Sequence, residues 1–179
     1  ALDRAVTTET GRQPVPEPAK AFADATATVS TPEGLKAKKI AADRLQRLVD
    51  LKTFILDRIN ADIKSTGSFR YGWLVNGVPS MDILSADEAK LDVKGTLIPW
   101  SNVQIPQVIY FINYFLKKVE MPPREKAQRP LQAAVYFYEA AGGDKNALSR
   151  ASAYAGEAIL LDSQIKEEIT TLMPDLTLP

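Results

Sequence analysis

Leu45, Leu48, Leu51, Ile55, Ile59 and Ile63 recur at spacings of three and four, while Asp43, Arg44, Arg47, Asp50, Lys52, Asp57 and Arg58 fall mostly on the opposite side. Side chains three and four apart share one face of a helix, so this segment is committed to a long amphipathic helix with one buried stripe. Its limits are written in the flanks. Thr31 is a suitable N-cap, Pro32 fits a first turn that needs no amide donor, Glu33 faces the positive end of the dipole, and Gly67 after Ser65-Thr66 supplies the stop. About ten turns result, a length normal in helical bundles.

The C-terminal half carries the same period. A helix is expected to begin at Pro122-Pro123, to bend at Pro130, and to run through Leu131, Ala134, Val135 and Tyr138 to Gly142-Gly143. Asp144 then caps a last helix, in which Leu148, Ala151, Ala155, Ala158, Leu161, Ile165, Ile169 and Leu172 keep the three/four spacing until Pro174. So short a connection makes the two helices antiparallel, and the alanines from Ala151 to Ala158 let a neighbour approach closely.

The stretch from Phe69 to Trp100 is less regular. Asn76-Gly77 between apolar residues is a hairpin signal weakened by Pro79, so a loop or a broken helix is favoured there. Ser85 with Glu88 three residues on forms a capping box, predicting a short helix through about Val93 that Gly95 ends. Ser101 or Asn102 caps a further helix, whose apolar residues Ile105, Val108, Ile109, Ile112, Phe115, Leu116 and Val119 cover a wide arc. Tyr110, Phe111, Tyr114, Phe115, Tyr136, Phe137 and Tyr138 are expected in the core or at its edge. The fold class is therefore all-α: an up-and-down four-helix bundle over residues 31–179, with an extended arm over 1–30 and an irregular insertion after the first long helix.

The same 179 residues contain no histidine and no cysteine, which removes the commonest general base, the commonest metal ligands and every thiol nucleophile. Among carboxylates, Glu167-Glu168 fall on a solvated helix face and Asp87-Glu88 in the first turn of the short helix, where they complement its dipole. There is no Gly-x-Ser-x-Gly, phosphate loop, EF-hand or dinucleotide fingerprint. No catalytic, metal or cofactor-binding residue is nominated, and the protein is expected not to be an enzyme.

Twenty-two Lys plus Arg balance twenty-two Asp plus Glu, so no global field draws the chain to nucleic acid, and docking must use local patches. Two segments qualify. Pro14, Pro16 and Pro18 alternate in a stiffened segment that is either a disordered leader or an arm that orders on a partner. Lys117, Lys118, Arg124, Lys126 and Arg129 gather around the turn between two helices, as a solvated turn or as a surface for an acidic partner. No run of apolar residues is long enough to span a membrane, so a soluble or peripheral protein is expected. A start at Ala1 without methionine or a signal-like apolar stretch fits either a chain whose targeting peptide has been removed or a chain trimmed in another way.

The run Arg124-Glu125-Lys126-Ala127-Gln128-Arg129-Pro130-Leu131, then Tyr138-Glu139-Ala140-Ala141, a polar turn from Gly142 to Asn146, and Ala147-Leu148 through Tyr154-Ala155-Gly156-Glu157-Ala158 resembles the closing helix pair of PsbQ-type extrinsic proteins of photosystem II. Asp43 to Leu48 is similar to that family's opening helix, the proline-rich arm to its extended N-terminal arm, and the size to its red-lineage algal form. The resemblance implies a thylakoid-lumen protein without catalysis of its own. It would dock on the luminal face of photosystem II, beside the core and other extrinsic subunits, and support retention of the calcium and chloride of the oxygen-evolving site. A soluble helical adaptor, tetratricopeptide-like or bacterial periplasmic, is the alternative from another class.

Overall fold

The computed structural model describes residues 26–71, 81–103, 105–118, 120–141 and 144–179. Pro14, Pro16, Pro18 and the Asn76-Gly77 turn lie outside these residues. The chain is mostly helical, and a small antiparallel sheet follows the first helix, so the all-α expectation is corrected. Two compact units are formed, one by the chain up to Leu51 together with Glu120–Pro179, the other by Lys52–Val119.

Helix α1, Pro32–Thr66, is 35 residues long and contributes to both units. It starts as its sequence dictates, with the Thr31 hydroxyl accepting from the Gly34 amide at 3.1 Å. Just before it, Thr26 is buried and its carbonyl accepts from the Lys38 ammonium at 2.9 Å, so the last residues assigned to the arm pack against α1. Gly67, at φ +84°, ends the helix in a left-handed conformation that other residues adopt at a cost.

In the first unit, helix α3 (Pro123–Ala141) and helix α4 (Lys145–Leu161) join through a short turn that the Asp144 side chain closes, accepting from the Asn146 amide at 2.9 Å. Ala151, Ala155 and Ala158 are fully buried, and the Phe137 and Tyr154 rings stack at 5.6 Å, so the alanine seam serves the close approach its composition permits. The last helix is not continuous. The Asp162 carboxylate accepts from the Gln164 amide, starting a 3₁₀ turn over Ser163–Ile165 and then helix α5, Lys166–Leu172. An aspartate that can bond its own backbone two residues on competes with the helical ladder, and here the competition ends α4 while Ile165, Ile169 and Leu172 remain buried. The chain after α5 returns over α4, where the Ser152 hydroxyl donates to the Thr177 carbonyl and the Pro179 ring rests against Gly156.

In the second unit, β1 (Phe69–Tyr71), β2 (Met81–Ala86), β3 (Lys90–Val93) and β4 (Thr96–Pro99) pair in sequence order, all antiparallel. Strands stand where the capping box predicted a short helix. A bulge at Leu84 lets Ile83 and Ala86, three residues apart, point to the same buried face, which is the spacing that imitates a helix. Asp87 turns the chain instead of capping it: its carboxylate accepts from the Ala89 and Lys90 amides, both at 2.8 Å. Lys94 and Gly95, both at positive φ, make the two-residue hairpin between β3 and β4. After a 3₁₀ turn over Trp100–Asn102, helix α2 (Ile105–Lys118) completes the unit.

Candidate docking surface

Helix α2 is apolar over a wide arc because one side of it fills the core of its unit. Phe111 and Phe115 meet Phe69 at 6.1 and 5.5 Å, Phe54 meets Phe115 edge-on at 6.3 Å, and Trp100 meets Phe111 at 6.4 Å. That burial fixes which residues face outward. Tyr110 and Tyr114, one helical turn apart, are half-buried and stacked at 5.6 Å, with Asn113, Lys117 and Lys118 exposed beside them. The Lys118 ammonium donates to the Tyr114 hydroxyl and lies 4.3 Å from the centre of its ring. This hydrogen bond to Tyr114, with the nearby Asp62 carboxylate, holds the Lys118 pKa above the ordinary lysine value. Burial pushes the Tyr110 phenol up, Tyr114 adds to the shift, and Lys118 opposes it.

The predicted basic cluster is divided between the two units. Lys117 and Lys118 close α2 in one, whereas Arg124, Lys126 and Arg129 lie in the first turns of α3 in the other. Arg124 is exposed and Lys126 half-buried. The Arg129 side chain, only 17 % exposed, is held along its own helix by Glu125 at 3.5 Å and by Gln132 at 3.1 Å. Its charge is already engaged within α3, which the sequence pattern did not reveal.

Sequence reasoning also placed two buried charges on the polar side of α1. Arg44 donates from Nε to the Leu172 carbonyl at 2.5 Å and from a terminal nitrogen to Glu139 at 2.9 Å, and its guanidinium lies 4.8 Å from the Tyr138 ring centre. The two side chains of this ion pair are 8 % and 6 % exposed. Lys52, 1 % exposed, donates to the Glu88 carbonyl and faces the Trp100 ring at 5.5 Å. Asn60 and the Trp100 indole hold the same turn, donating to the Ala86 and Asp87 carbonyls at 3.0 and 2.7 Å. These cations organise their units from inside and offer nothing to a partner.

The Ala89 amide, and after it the Lys90 amide, hold the Asp87 carboxyl below the ordinary aspartate pKa. A depressed folded-state pKa adds stability that is present above the unfolded value and lost as pH falls through the folded one. The Ala89 and Lys90 amide resonances are therefore expected to move together on acidification, with a midpoint below the roughly 3.9 of a free aspartate. In Asp87→Asn that titration disappears. A midpoint at the free value would show that the turn does not hold the carboxylate.

A polar groove of about 580 Å³ runs between α1 and the Gln164–Leu172 region. Its charges are largely compensated, Lys39 by Asp43 at 2.7 Å and Arg47 by Glu168 with Gln128 at 2.8 Å. Among the described residues no group of three or more Asp or Glu could hold a metal ion, and no helix is long and apolar enough to cross a membrane. Compared with known proteins, the chain matches no family model, no curated protein and no solved structure.

Proposed function

We propose that this chain is a non-catalytic extrinsic subunit that docks on the luminal face of photosystem II and stabilises the oxygen-evolving complex there. The observation that carries this reading is the α3–α4 pair, the segment on which the sequence resemblance rests. It runs as two antiparallel helices joined by an Asp144-capped turn, and it buries Ala151, Ala155 and Ala158. The same reading carries an up-and-down four-helix bundle as a proposal, with α1, α2, α3 and α4, each of 14 residues or more, as its members. It also carries the proline-rich segment around Pro14, Pro16 and Pro18 as a docking arm, and a place in the thylakoid lumen.

A subunit held on a membrane complex by a few exposed charges comes off in salt. Co-purification from source membranes, a salt wash and rebinding test the proposal. Loss on washing and recovery on adding back the chain are expected, with weaker rebinding when residues 1–25 are deleted or when Lys117, Lys118 and Arg124 are all reversed to Glu. A chain that never co-purifies with photosystem II, or that stays in the wash when added back, overturns it.

A further inference from the structure

We propose that the outward stripe of α2, formed by Tyr110, Asn113, Tyr114, Lys117 and Lys118, is a docking surface for an acidic polypeptide segment of the partner. This deepens the extrinsic-subunit reading and rests on it. Three observations bear on the chemistry of the occupant.

The first is uncompensated charge. Arg44, Arg47, Arg70, Lys94 and Arg129 each face a carboxylate within their own unit. Lys117 and Lys118, adjacent and exposed, form no ion pair among the described residues, and the hydrogen bond of Lys118 goes to a phenol. Asp62 is near enough to act on Lys118 through its charge without pairing with it. Two adjacent ammonium groups without an ion pair among the described residues, at the end of a helix, complement carboxylates of a partner.

The second is pre-organisation. A free lysine side chain loses rotamer freedom when it is immobilised by a partner. The Tyr114 hydroxyl and ring already hold Lys118, and Tyr110 backs Tyr114 by stacking at 24° between ring planes. The stripe from Tyr110 to Lys118 covers about 12 Å at the helical rise, the reach of a short extended segment of about four residues.

The third separates a polypeptide from a lipid surface. The large exposed apolar residues among those described are Leu35, Leu84, Leu97 and Leu160, and none lies on α2. Helices that lie in a membrane interface combine many cations with an apolar face free to enter the lipid. The apolar face of α2 is used up in its own core, and the outward face presents the exposed Lys117 and Lys118 beside the half-buried Tyr110 and Tyr114. The two lysines suit carboxylates, and the described residues of that face include no large exposed aliphatic side chain to insert among acyl chains.

The test uses the full chain, a synthetic glutamate-rich peptide and, in parallel, phosphatidylglycerol vesicles, with backbone amide shifts and titration calorimetry as readouts. The peptide is expected to move the amides of residues 110–118 at low salt. Lys117→Glu with Lys118→Glu should weaken binding by about tenfold or more. Tyr114→Phe, which keeps the ring but frees Lys118, should weaken it by about threefold. Tyr114→Phe keeps the ring against Phe69 and should leave the thermal midpoint unchanged, while the double reversal, at exposed positions in the last turn of α2, should lower it only slightly through the helix dipole. Unchanged affinity in the double reversal, or shifts confined to other elements, overturns the proposal. Vesicle binding without peptide binding assigns the face to lipid and overturns it as well. If the peptide fails while the chain still rebinds to salt-washed membranes, this stripe is rejected and the extrinsic reading stands; if rebinding fails too, both are lost.

Discussion

Glu139→Ala is expected to lower the stability of the folded chain by about 3–5 kcal/mol, because it leaves the Arg44 guanidinium buried without its counter-charge. The pair joins α1 to α3, and the second hydrogen bond of Arg44, to the Leu172 carbonyl, ties the end of α5 to the same point. One substitution therefore loosens three helices. Removing both charges together, as Arg44→Met with Glu139→Leu, should recover much of that loss, since well-packed apolar residues often replace a buried ion pair without penalty. Denaturant unfolding of the two variants side by side measures the difference. Equal losses in the single and double replacements would mean that the pair contributes by packing rather than by compensating buried charge.

Phe69→Ala is the second large effect, also about 3–5 kcal/mol. Phe69 is almost fully buried at the start of β1 and meets three rings of α2: Phe111, Tyr114 and Phe115. Truncation removes the transfer free energy of the ring and leaves a cavity lined by aromatic faces that cannot close over it. Because Tyr114 packs edge-on against Phe69 at 5.3 Å, the same change should also disturb the Tyr114–Lys118 contact. Thermal unfolding reads the first effect and the amide shifts of Tyr114 and Lys118 the second. Phe69→Leu, which keeps most of the volume, should cost less than half as much.

Both effects arise in places that sequence patterning reached only in part. Helix α1 was legible from Thr31 to Gly67 because every local signal agreed: cap, first-turn proline, apolar period and glycine stop. The α3–α4 pair was legible for the same reason, with Asp144 capping as its side chain allows. Arg44 and Lys52 were misplaced although the period contains them, since Arg44, Leu48, Lys52, Ile55 and Ile59 follow the three/four spacing. Residue type argued for solvent and position argued for the interior. Position won because each cation found oxygen acceptors and an aromatic face there, partners contributed by residues at least 36 positions away.

The sheet shows the limit from the other side. Ser85 and Glu88 satisfy the local rule for a capping box, and Ile83 and Ala86 the local spacing of a helix, yet the segment is extended. Strand pairing is non-local: β2 takes its conformation from hydrogen bonds to β1 and β3 and from the burial of Phe69, Leu91, Val93 and Ile98, none of which a window around Ser85 weighs together. The basic residues divide in the same way, for their exposure follows from what their helices bury. The sequence by itself determined the helices whose caps and apolar period agree, the lack of histidine and thiol chemistry, and the stretch of chain that holds the basic residues. Only the tertiary structure decided which charges are buried, where strands replace a helix and which lysines face outward, because those outcomes depend on partners brought together from distant parts of the chain.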